Sequence, residues 1–85
     1  MTYSVLLSRQ AKRYFASAPV PLARRLAQVF EVLESDPRPS GSKPLKGTLE
    51  GLVRIRVGNL RVIYEVLEDA GAIRVVKISP RGDAY

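Results

Sequence analysis

The residues of this sequence whose types and spacing could do chemistry are arginines. Arg54, Arg56 and Arg61 stand within Val53-Arg54-Ile55-Arg56-Val57-Gly58-Asn59-Leu60-Arg61-Val62-Ile63-Tyr64, and Arg81 and Tyr85 follow in the last five positions. Two alternating runs around Gly58-Asn59 predict a β-hairpin with a two-residue loop. That loop sets Val57 opposite Leu60, Arg56 opposite Arg61, Ile55 opposite Val62 and Arg54 opposite Ile63. Alternation then puts Val53, Ile55, Val57, Leu60, Val62 and Tyr64 on one face and Arg54, Arg56 and Arg61 on the other. Like charges directly opposite each other destabilise a sheet. Two guanidinium groups ~5 Å apart repel by roughly 3 kcal/mol at an effective dielectric near 20, and by under about 1 kcal/mol in water. The arginine face has two readings, a solvated outer surface or an anion site. A phosphate is the anion that best suits arginine's planar, permanently charged fork.

The composition narrows the chemistry such a site could perform. The 85 residues contain no histidine and no cysteine, which removes the commonest general acid/base, the commonest metal ligand, disulfides and thiolate sites. Glu50, Glu65, Glu68, Asp69 and Asp83 show no metal-ligand spacing, and no phosphate-cradling Gly-rich loop is present. No metal or other cofactor is therefore expected. Hydrolysis of DNA usually enlists metal ions, whereas RNA carries its own nucleophile, the 2′-hydroxyl beside the phosphate. An enzyme then has to orient that hydroxyl, move protons and stabilise charge on phosphorus, and arginines can do the last. A tyrosine whose pKa is lowered by neighbouring cations could move the proton. Tyr85, four residues after Arg81, is the candidate, since Tyr64 falls on the core face.

Fourteen basic residues against eight acidic ones give a net charge of +6 and a pI near 10.2, the electrostatic footprint of nucleic-acid binding. A membrane surface fits less well, because no strongly basic amphipathic helix with bulky apolar anchors stands out. No apolar run approaches a bilayer span, and Met1-Thr2-Tyr3-Ser4 begins no signal peptide. A cytoplasmic location is expected.

The elements that must position the arginines follow in order. Thr2 to Leu7 reads as a short strand. Ser8 is a helix N-cap, after which Ala11, Tyr14, Phe15 and Ala18 recur at helical spacing. Pro19-Val20-Pro21 separates this helix from a second, whose Leu22, Leu26, Val29, Phe30 and Leu33 make a continuous apolar stripe. Arg24 and Arg25 near its start and Glu31 and Glu34 near its end oppose the helix dipole, so packing must hold it. Ser35 to Pro44 is a loop by composition. Beyond the hairpin, Glu68-Asp69-Ala70-Gly71 makes a polar turn and Ile73 to Ile78 a last strand. Its facing is ambiguous, because Ile73, Val75, Val76 and Ile78 are apolar on both sides. The expected fold is a single α+β domain over residues 1–85. It has an N-terminal strand, a two-helix hairpin and a three-stranded antiparallel meander, with both helices on one sheet face. Lys46 and Lys77 are candidate extensions of the phosphate track.

Leu52 to Val66 closely resembles the central hairpin of the RelE/ParE superfamily of toxins from type II toxin–antitoxin systems. Ile78-Ser79-Pro80-Arg81-Gly82-Asp83-Ala84-Tyr85 resembles that family's C-terminal pattern, a strand ending in Arg and followed by Tyr. Leu33-Glu34-Ser35-Asp36-Pro37 and Lys43-Pro44-Leu45-Lys46-Gly47 match its usual helix end and pre-hairpin loop. The RelE branch comprises ribosome-dependent endoribonucleases that cut mRNA in the A site by metal-independent 2′-hydroxyl attack. The resemblance implies that Arg54 and Arg56 hold and neutralise the phosphate and that Arg61 stabilises the transition state. It further implies that Arg81 binds phosphate and is a candidate proton donor to the leaving 5′-oxygen, with Tyr85 the candidate base or base-orienting group. Two departures bear on this. The best-known members have lysines where Arg54 and Arg56 stand, and arginine cannot be a general base at neutral pH. Pro80 takes a place often held by histidine or another polar residue.

The ParE branch shares the fold but inhibits DNA gyrase by protein–protein contact, which is the alternative function here; a non-catalytic nucleic-acid binder is a third. Partners implied by the resemblance are a cognate antitoxin, the ribosome with its mRNA, and operator DNA reached only through the antitoxin complex. The antitoxin is expected to bring a largely apolar helix and acidic residues.

Overall fold

The computed structural model describes residues 2–80. In chain order these form β1 (Ser4–Leu7), α1 (Arg9–Ser17), α2 (Val20–Ser35), β2 (Lys43–Pro44), β3 (Val53–Val57), β4 (Leu60–Leu67) and β5 (Ala72–Pro80). The hairpin β3–β4 has the register that its loop dictates: Val57 pairs with Leu60, Arg56 with Arg61, Ile55 with Val62 and Arg54 with Ile63. Gly58 carries a φ of +60° while Asn59 does not enter positive φ. That is the pattern of a type II′ loop, which needs glycine first.

The sheet order is β1-β5-β4-β3-β2, with β1 parallel to β5 and every other pair antiparallel. Both helices cover one face. Ala11, Leu26 and Leu33 from the helices and Val53, Ile55, Val57, Leu60, Val62, Tyr64, Ile73, Val75 and Ile78 from the strands form one core, flanked by Tyr14, Phe15, Val29 and Phe30. The rings of Phe15 and Phe30, 5.6 Å apart, join the two helices. No side chain caps α2 at its start, and its charges oppose its dipole, so the burial of Leu26 and Leu33 is what holds it. Tyr64 is wholly buried, and its hydroxyl donates to the Pro37 carbonyl at 2.8 Å, as a buried phenol requires. Burial pushes its pKa up, against a lowering influence from Ser42 and Arg38.

Two features differ from the sequence reading. The Pro/Gly/Ser stretch before the hairpin contains a fifth, two-residue strand, Lys43 pairing with Arg54 and Pro44 with Val53. The last strand is longer than expected and carries a bulge. Ile63 pairs with Lys77 but Tyr64 pairs with Val75, leaving Val76 as the extra residue. A bulge inverts the side-chain alternation beyond it. Ile73 and Val75 face the core before it, Ile78 faces the core after it, and all three are fully buried. The same inversion turns Lys77 and Ser79 to the arginine face.

The bulge is pinned by α1. Ser8 Oγ accepts from the Ala11 amide at 3.2 Å, as an N-cap should, and donates to the Val76 carbonyl at 2.7 Å. Two residues on, the Gln10 carboxamide donates to the Ile78 carbonyl at 2.7 Å and accepts from the Ile78 amide at 2.9 Å. β1 pairs only with Ala72 to Val75, so Ser8 and Gln10 satisfy the edge of β5 that β1 leaves bare.

Replacing Ser8 with Ala removes both the cap and the partner of Val76, and an unfolding free energy lower by about 2 kcal/mol is expected in denaturant titrations. Tyr64→Phe strands the Pro37 carbonyl, with an expected loss of about 1 kcal/mol at neutral pH. Because the folded phenol has the higher pKa, wild-type stability holds below pH ~10 and falls as the pH rises beyond it. The Phe variant should lack that alkaline fall.

Candidate nucleic-acid interface

The face opposite the helices is built by alternation within β3, β4 and β5 and by the bulge. Pairing across the strands places its residues in rows. One row runs Lys43, Arg54, Ile63, Lys77, and the next runs Arg56, Arg61, Ser79. Neighbouring strands lie about 4.8 Å apart and alternate residues of one strand about 6.8 Å apart. Five cationic side chains thus emerge from a patch of about 15 by 7 Å. Arg54, Arg61 and Lys77 are half-buried, whereas Lys43 and Arg56 are exposed. Ile63 and Ser79 are both buried on this face, at 2% and 3% exposure. In register they are flanked by Arg54 and Lys77 in one row and Arg61 in the other, long side chains whose aliphatic stems can cover a sheet.

Further along β4, Glu65 forms a 2.7 Å ion pair with Arg74, the residue opposite it on β5. No other carboxylate of the described strands lies on this face. Arg56 and Arg61 are adjacent in register, the feature that would cost most in an isolated sheet. Opposed guanidinium groups are what a doubly charged phosphodiester transition state would neutralise. The arginines, protonated at any physiological pH, supply charge here and no base.

Of the residues singled out from sequence, the structure brings Arg54, Arg56, Arg61 and Lys77 together. Lys46 stands outside the ladder, exposed in the loop that follows β2, and it is Lys43 that pairs with Arg54. Arg81 and Tyr85 lie outside the described residues. Lys43, which the sequence offers only as charge ahead of the hairpin, and Ser79 are not among the residues singled out from sequence. A two-residue strand has no alternation to betray it, and the facing of Ser79 depends on a bulge that apolar residues on both sides of β5 conceal.

A concave surface borders the rows. Between α2 and the part of β3 that β2 does not reach, a groove of about 310 Å³ is lined by Val29, Val32, Ile55 and Val57, with Arg25 and Arg56 at its walls. Among the described residues no helix is long and apolar enough to cross a membrane.

Known proteins share this fold. The family model of the ParE toxin of the type II toxin–antitoxin system parDE matches residues 5–85. A putative toxin RelE1 of Methanocaldococcus jannaschii is 32% identical over 88 residues, spanning 100% of this chain and 97% of that protein. Toxin RelE of Mycobacterium tuberculosis is 31% identical, spanning 98% of this chain and 86% of its own length. Among solved structures, the archaeal RelE–RelB complex of Pyrococcus horikoshii OT3 contains a chain that superposes with a TM-score of 0.84 at 36% identity, over 99% of this chain and 100% of that one. Matched along almost its whole length in sequence and in fold, the chain belongs to the RelE/ParE superfamily of toxins of type II toxin–antitoxin systems.

Proposed function

We propose that this toxin is a ribosome-dependent mRNA endonuclease that cleaves RNA without a metal ion. The observation that carries the reading is the pairing of Arg56 with Arg61, with Arg54 and Lys77 in the adjoining row. In the proposed reaction the 2′-oxygen attacks the adjacent phosphorus, the bond from phosphorus to the 5′-oxygen breaks, and a cyclic phosphate and a 5′-hydroxyl result. Arg54, Arg56 and Lys77 hold the phosphate, while Arg61 stabilises the negative charge that grows on its oxygens. Arg81 and Tyr85 enter by their positions in the family pattern, Arg81 as phosphate ligand and proton donor to the leaving oxygen, Tyr85 as base or base-orienting group. With arginines in place of basic amines on β3, charge neutralisation is strong and proton abstraction weak. The 2′-hydroxyl must then be oriented by the A site, which makes cleavage depend on the ribosome.

The ParE name of the matching family model supports a second reading, a toxin that contacts DNA gyrase and cuts no RNA. Fold alone does not decide between them. A cognate antitoxin is the partner in either case, and RelE–RelB is the pairing in the Pyrococcus structure. The groove beside β3 suits such a partner. Its valines and isoleucine would receive the apolar side of a helix, and Arg25 and Arg56 would receive carboxylates.

Induction in cells followed by mapping of mRNA ends should give codon-phased cuts in translated messages. These should fall by at least about 100-fold in an Arg61→Ala/Arg81→Ala variant. Intact messages together with DNA breaks and altered supercoiling would replace this reading with the gyrase one. Purified toxin is expected to cut naked RNA poorly, so efficient cleavage of a free transcript would show that the site supplies its own base.

A further inference from the structure

Ser79 is the polar residue of the cationic face whose chemistry the arginines leave unused. It is buried, at 3% exposure, and its Oγ, shielded from solvent, has no hydrogen-bond partner among the described residues. Buried hydroxyls are almost always satisfied, because leaving one unmade forfeits its hydration with no return. Alanine or glycine would fill the same small space without that penalty. The position is specific: Ser79 is opposite Arg61 on β5, Arg61 is opposite Arg56, and Lys77 precedes it by two on the same face. Its surroundings are cationic, so the ligand such a hydroxyl would await is an anion to which it can donate. Directly opposed side chains in an antiparallel pair have Cβ atoms about 5 Å apart. A guanidinium rising from position 61 therefore passes beside position 79.

We propose that Ser79 is a further phosphate ligand of this site. Its hydroxyl donates to a non-bridging oxygen of the RNA phosphate once that phosphate has drawn the Arg61 guanidinium toward itself. This rests on the reading of the face as an RNA-cleaving site. The hydroxyl adds no charge. It adds direction, since one short donor fixed on a strand selects one oxygen, and the secluded position strengthens the bond by excluding water. The unsatisfied hydroxyl of the unbound protein becomes satisfied on binding, so part of the stability given up in the free state returns as affinity for the anion.

The test compares wild type, Ser79→Ala and Ser79→Thr in three measurements. These are thermal stability, single-turnover cleavage of mRNA on programmed ribosomes, and affinity of the free protein for a 2′-deoxy-substituted RNA hexanucleotide that cannot be cut. Ser79→Ala should melt no lower than wild type, yet lose roughly ten- to hundredfold in cleavage and weaken hexanucleotide binding. Ser79→Thr, which keeps the hydroxyl, should retain most of both. An alanine variant that cleaves and binds like wild type overturns the proposal. If wild type cuts no ribosome-bound mRNA but Ser79→Ala still weakens hexanucleotide binding, the nuclease reading fails and the phosphate ligand stands. If neither cleavage nor a difference in binding is seen, both fail.

Discussion

The cationic face depends on one extra residue in β5. Without the bulge at Val76, strict alternation from Ile73 and Val75 would turn Lys77 and Ser79 toward the helices and Ile78 away from them. An unpaired lysine would then sit against the core and a large apolar side chain against the arginines. With the bulge, Ile73, Val75 and Ile78 are all buried, and Lys77 and Ser79 join the rows of Arg54 and Arg61. A bulge leaves a backbone group outside the ladder. Here the Val76 carbonyl is taken by the hydroxyl of Ser8, the residue that also starts α1. Helix start, strand kink and site geometry share one side chain.

This coupling explains which parts of the molecule were legible in its sequence. The hairpin register was readable because Gly58-Asn59 admits a two-residue loop and the flanking alternation is unbroken. The apolar stripe of α2 was readable because its period is long enough to repeat. What was not readable had no periodic signature. Ile73, Val75, Val76 and Ile78 are apolar irrespective of facing, so the bulge was hidden among residues that either face would accept. Lys43-Pro44 is too short to alternate, and its pairing is visible only from Arg54 across the ladder. Gln10 carries no periodic signal either, and its carboxamide imitates a strand backbone against Ile78. Such long-range satisfaction of single polar groups follows from the completed fold, not from local sequence.

The arginine face is a local conflict that the rest of the fold has to offset. A repulsion of roughly 3 kcal/mol between two opposed guanidinium groups at intermediate dielectric would be a large share of the 5–15 kcal/mol typical of a small domain. The hairpin is held regardless, because its other face contributes Val53, Ile55, Val57, Leu60, Val62 and Tyr64 to one core. The conflict is also confined. Glu65 is engaged by Arg74 at the far end of the sheet, and among the described strands no other carboxylate lies on this face. Conflict of this kind, concentrated on one face while the other obeys every packing rule, is what a binding site imposes on a fold.

Arginine also constrains what the proposed chemistry can be. A guanidinium holds its proton throughout the physiological range, so the three arginines offer constant charge. The described residues supply no histidine to titrate near neutrality. A site of this kind lowers the barrier by neutralising charge more than by moving protons. It is therefore strong where the substrate is already aligned and weak where it is not. An RNA free in solution rarely holds its 2′-oxygen in line with the leaving oxygen, whereas a message held in the decoding site can be fixed in that geometry. Under the proposed reaction the toxin's selectivity for translated mRNA needs no recognition of sequence by the arginines. It follows from a catalyst that has charge in abundance and lacks a strong base.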